Sequence, residues 1–163
     1  MLRRVTFDDW MLALHVLSAF FFVTAVVLFW ILIVVVRRMD SPDERLRMES
    51  VVNVGNAAFA VGSVGTIVFG IWLAFSVGGY DIWDGWIIAA LVLWVLAMPF
   101  GRGTGEAYMR GANKARELRN AGQTGSSAEL LALNRTSDGV LMHFLTSVVV
   151  LLILIDMIWK PGA

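Results

Sequence analysis

Four stretches of the chain are almost purely apolar, and the charged residues gather between them. The stretches are residues 10–36, 51–77, 82–100 and 139–159. A helix needs about 20 residues to cross the hydrocarbon core, so all four are read as membrane spans. The first is 27 residues long and holds no Asp, Glu, Lys or Arg, an excess that predicts tilt or a protruding end. It is too long for the apolar core of a cleavable signal peptide, and none is expected. No period-two alternation occurs, which removes a β-barrel. The pattern predicts an all-α fold: one polytopic membrane four-helix bundle over residues 1–163.

The segments between the spans are patterned as well. Ser41-Pro42-Asp43-Glu44 supplies an N-cap, a proline at the first helical position and an acid in the first turn, so the second helix is expected to start near Pro42. Ser126-Ser127-Ala128-Glu129 reads as a second capping box, starting the fourth helix well before Gly139. Residues 106–120 are rich in Ala, Arg, Lys and Glu and continue the third helix, with residues 121–125 as the turn. Pro99 is expected to end the third span and residues 101–105 to form a flexible joint. Their glycines only superficially resemble a phosphate-binding loop, without its strand or its Lys-Ser/Thr. Residues 37–50 and 101–138 would then form a short helical stalk.

Lys and Arg set the orientation. The two stalk segments hold ten of them, against three at the opposite end: Arg3, Arg4 and Lys160. The positive-inside rule places the stalk in the cytoplasm and both termini outside, in the inner membrane of a bacterial cell. Tyr80, Trp83 and Trp86, with Trp10 and Trp159, fall at the opposite surface, where aromatic rings anchor at headgroup depth.

Composition narrows the function classes. The chain is 58% hydrophobic and only 16% charged, with mean hydropathy +0.74, so it cannot hide its apolar surface as a soluble domain would. Thirteen basic residues balance thirteen acidic ones, so no net field attracts nucleic acid. There is no cysteine, which removes thiol chemistry, Cys-type zinc sites and iron–sulfur clusters. Methionines are scattered, with no motif for copper. The partners expected are the bilayer and either further copies of the chain or a larger membrane complex.

Ionisable residues inside a span are the first candidates for function. His15 and Asp156 lie near the terminal-side surface, where Asp156 would orient the imidazole if spans one and four touch. The alternative is that Asp156 pairs with Lys160 and His15 bonds a backbone carbonyl. His143 lies near the opposite surface, roughly 20 Å away at 1.5 Å per residue, so the two histidines cannot be axial ligands of one haem in one subunit. With Asn53, Asn56, Arg102 and Glu106, His143 forms an inner polar cluster, read either as a small pocket or as helix-to-helix hydrogen bonding. Ala58, Gly62, Thr66 and Gly70 recur at four-residue spacing as a stripe for close helix packing.

Leu14-His15 in span one, Gly70-Ile71-Trp72-Leu73 closing span two and Ile158-Trp159-Lys160-Pro161 at the end carry a resemblance. Together they resemble an uncharacterised bacterial family of four-helix predicted integral membrane proteins, domain of unknown function 2269. More distantly the chain is similar to the copper-resistance CopD membrane domain and to the haem-binding HemJ type of protoporphyrinogen oxidase. The HemJ likeness, through a His preceded by Leu early in the first helix, implies a haem b ligand at His15 only; residues 86–100 depart from it in lacking the Lys or His of HemJ-like proteins. Three functions follow as expectations: first a membrane scaffold or accessory subunit, then a haem b- or metal-binding redox protein with His15 as ligand, then a small proton-linked transporter.

Overall fold

The structure is a computed structural model that describes residues 5–78 and 81–161. It consists of helices α1 (Phe7–Val36), α2 (Pro42–Arg47), α3 (Glu49–Ser76), α4 (Gly85–Asn120), α5 (Ala128–Asn134) and α6 (Asp138–Trp159). Four helical stretches have the length and apolarity to cross a membrane: Phe7–Val36, Pro42–Ser76, Gly85–Asn120 and Ala128–Trp159. Arg3, Arg4 and Tyr80 lie outside the described residues.

Local chemistry sets where the helices start. Thr6 caps α1: its hydroxyl accepts from the Asp9 amide, and the Asp9 carboxylate accepts from the Thr6 amide at 2.8 Å. This reciprocal box begins α1 at Phe7, three residues before the first apolar run, and gives Asp9 a structural task. Pro42 opens α2 as expected, but the Ser41 side chain makes no cap and donates instead to the Thr124 carbonyl at 3.1 Å. The second box also resolves differently. Ser127 caps α5 through the Leu130 amide, whereas Ser126 donates to the Asp40 carboxylate at 2.9 Å. Helix α5 then ends at Asn134, and the last span restarts at Asp138 rather than running on continuously.

The third helix departs furthest from expectation. Pro99 does not end the span, and residues 101–105 are not a joint: α4 runs unbroken from Gly85 to Asn120. A proline inside a helix loses the bond to the carbonyl four residues back and crowds that carbonyl, yet α4 continues through Pro99. The Thr104 hydroxyl donates to the Phe100 carbonyl at 3.1 Å within this stretch. Of the glycines here Gly103 serves packing, since its Cβ would come within 2.9 Å of Met142 on α6, whereas Gly101 and Gly105 face open space.

The helices associate as two antiparallel pairs, α1 with α3 and α4 with α6, while α1 and α6 meet sparingly and α2 leans on α4. Along α1 and α3 the fit is backbone to backbone. A Cβ on Gly62 would strike the Phe22 amide and lie 2.8 Å from the Ser18 carbonyl oxygen. The small-residue stripe therefore serves a helix of the same chain. Gly70 seats the His15 ring, whose Cε1 would lie 3.0 Å from an added Cβ, and Thr66 offers that ring its carbonyl. Two polar contacts link α1 to α6: Trp30 Nε1 donates to the Ser147 hydroxyl at 2.9 Å and His143 Nε2 to the Val26 carbonyl at 3.0 Å. Trp10, Trp83 and Trp159 are exposed at the end opposite the stalk, but Trp86 is not an exposed anchor. It is buried against Ala74 and Ile87, with Met157 packed on the cluster, and the Lys160 ammonium lies over its ring.

Candidate functional site

The intramembrane histidines are both engaged between helices. His15 Nδ1 lies 2.9 Å from the Thr66 carbonyl of α3. Because a carbonyl can only accept, that nitrogen carries the proton and Nε2 is left as the acceptor. His143 is the opposite tautomer, with Nε2 donating to Val26, and its ring stands edge-on to Trp30 at 4.9 Å. The two bonding points are eleven residues apart on α1, roughly 16 Å at 1.5 Å per residue, so one haem still cannot join the two histidines.

Asp156 is not brought to His15. It lies on α6, which packs on α4, and among the described residues no hydrogen bond or ion pair joins the two. Its side chain is buried and its Oδ2 has no hydrogen-bond partner. The pairing of a carboxylate behind the imidazole, expected from similar depth, is not formed: His15 turns to the Thr66 carbonyl of α3 instead. No group of three or more His, Cys, Asp or Glu able to hold a metal occurs among the described residues.

The opposite half of the molecule holds a cavity of about 410 Å³ between all four spans. Its deep end is walled by Phe22, Val26, Phe59 and Trp94, and its other end by Arg37, Arg45, Arg102 and Tyr108. Of the inner polar cluster, His143, Asn56 and Arg102 lie on this wall, while Asn53 is exposed and does not. Arg102 bonds Glu106 at 2.8 Å, one turn on, and is 83% exposed. His15 is not on the wall, so this cavity is not at the residue to which the HemJ likeness assigned haem.

The residue that sequence reasoning missed is Arg45. Its side chain is wholly buried in the stalk. Nη2 donates to the Tyr108 carbonyl at 2.8 Å, Nε to Asn134 Oδ1 at 3.4 Å, and Cζ sits 3.8 Å above the Tyr108 ring centroid. Burial holds this guanidinium below its ordinary value, with Tyr108 and Glu49 opposing the shift, yet an arginine stays charged at any physiological pH. Gly111 makes the room, since its Cβ would press on Asn134 Oδ1. Nothing in the Pro-Asp-Glu-Arg run marked this arginine as buried, because its partners come from α4 and α5. Asn134 Nδ2 also donates to the Met39 carbonyl at 3.0 Å, and the Ser127 amide to the Asp40 carbonyl at 2.9 Å, tying the two stalk segments together. Ion pairs extend this knot: Arg116 to Glu49, Arg110 to Asp138 at 3.0 Å, and Lys114 to Glu117 and Glu129 at 2.9 Å each.

Fold and composition define the class, an all-helical integral membrane protein with four apolar helices. The family model described as predicted integral membrane protein (DUF2269) matches residues 9–161, and the chain belongs to that family. No curated protein and no solved structure matches the chain. The more distant likeness to CopD and HemJ receives no support from these comparisons.

Proposed function

We propose that this protein is a non-enzymatic component of the cell's inner membrane, a scaffold or accessory subunit whose two helix pairs form a fixed platform. One observation carries the reading: each intramembrane histidine donates to a backbone carbonyl of a neighbouring helix, so their polar capacity serves assembly. The tight seam at Gly62 and the ion-paired stalk point the same way. Haem binding is the competing reading. One feature favours it, since a His15 ring that donates through Nδ1 presents Nε2 as the tautomer a metal would use.

An absorption spectrum of the detergent-purified protein from haem-replete cells, oxidised and then dithionite-reduced, separates the two. The accessory reading expects a colourless, metal-free protein that migrates in mild detergent as an assembly larger than one 18.0 kDa chain. A Soret band with sharpened reduced bands, lost in His15→Ala, would overturn it.

A further inference from the structure

We propose that the cavity at the arginine-rich end binds one anionic lipid, with the acyl chain between the helix pairs and the oxyanion headgroup at the arginines. The cavity is amphipathic along its length. On α1 its wall runs from Phe22 to Arg37, roughly 22 Å at 1.5 Å per residue, and grades from aromatic and aliphatic side chains to guanidinium groups. Trp94 closes the deep end by donating to the Ser63 hydroxyl at 3.3 Å across α4 and α3.

Three arginines line the wall, and no Asp or Glu does. Arg37 gives Nη1 to the Thr136 carbonyl, and Arg45 bonds only uncharged acceptors. The Arg45 Nη1 is buried and has no hydrogen-bond partner at all. A buried guanidinium that hydrogen-bonds no carboxylate is costly even with Glu49 nearby, and burial is tolerated when an oxyanion completes its hydrogen bonds. A phosphate or carboxylate supplies that complement with the planar geometry arginine is built to grip. Arg37 and Arg102 follow directly on the apolar runs of spans one and three, so their charges stand at headgroup depth. A free anion would leave the apolar part of the wall unused, which is why the occupant is assigned as a lipid. The inference adds a ligand to the accessory reading and stands independently of it, since a haem protein could hold the same lipid.

The test is native mass spectrometry of the full chain in mild detergent, incubated with equal amounts of phosphatidic acid and phosphatidylcholine of the same acyl chains. One phosphatidic acid per chain should be retained in preference to phosphatidylcholine, and excess inorganic phosphate should leave it in place. Arg45→Met should weaken retention by about tenfold or more, as expected for loss of charged hydrogen bonds. Should that variant not fold, Arg37→Gln combined with Arg102→Gln carries the same expectation from the rim. Ala97→Phe, on the wall with no change of charge, should exclude both lipids. Equal retention of the two lipids, retention that survives these substitutions, or displacement by inorganic phosphate alone would each overturn the proposal.

Discussion

Gly62 shows how much can rest on one missing methyl group. Its place is filled by backbone atoms of Phe22 and Ser18, which cannot swing aside as a flexible side chain would. Gly62→Ala should therefore force α1 away from α3 and cost about 1–3 kcal/mol, the usual penalty of overpacking. Reversible unfolding in mixed micelles measures this, and an unchanged midpoint would mean that the seam is looser than described. Lys114 gives a second residue-scale expectation, with its sign fixed by linkage. Hydrogen bonds to Glu117 and then Glu129 raise its pKa above the ordinary 10.5. Its contribution is complete below that ordinary value and is lost as pH rises through the folded one. The stability gap between the native chain and Lys114→Met should stay constant from neutral pH to about pH 9 and shrink above about pH 10.5. Parallel curves throughout would show that the ion pairs do not couple to folding.

Among the elements, α4 holds the stalk to the membrane domain as a single rod of 36 residues, about 54 Å long at 1.5 Å per residue. The expectation of a joint at residues 101–105 weighed Pro and Gly by their local propensities. Packing against α6 at Gly103 and against Arg45 and Asn134 at Gly111 outweighs those propensities. Pro99→Ala should accordingly leave the fold intact and raise stability modestly, by up to about 3 kcal/mol, as the missing N–H is restored. Unfolding of that variant tests it, and a large destabilisation would show that the proline shapes the helix. The short helix α5 depends on its cap: Ser127→Ala removes the bond to the Leu130 amide and should cost about 1 kcal/mol. Hydrogen exchange confined to residues 128–134 is the expected signature. A capping box was legible in this stretch, but which serine caps depends on Asp40, which takes Ser126 for itself. That partner comes from 86 positions away in the chain, beyond any local signal.

At the scale of the whole molecule, topology is open to direct test because the chain has no cysteine. Gly78→Cys and Gly125→Cys lie at opposite ends of the bundle, and both positions are exposed. In intact cells a membrane-impermeant maleimide should label the first and reach the second only after permeabilisation, as both termini outside requires. The reverse pattern would invert the orientation and put the arginine-lined cavity at the outer surface.

Length and hydropathy by themselves determined that there are four membrane helices and where they lie, because a segment in hydrocarbon must satisfy its own backbone hydrogen bonds and only a helix of sufficient apolar length does so. The small-residue stripe on the second span was equally readable, since its period is that of the helix. Only the tertiary structure decided which helices pair, and pairing decided the candidate site. Packing of α1 on α3 gives His15 the Thr66 carbonyl, the sparse contact of α1 with α6 gives His143 the Val26 carbonyl, and the cavity is left between the pairs. It also buries Arg45 among Tyr108, Gly111 and Asn134, residues of no evident mutual relation along the chain. Periodicity records which face of a helix is apolar. The partner of that face depends on packing between segments distant in sequence, and that packing is where the polar groups meet.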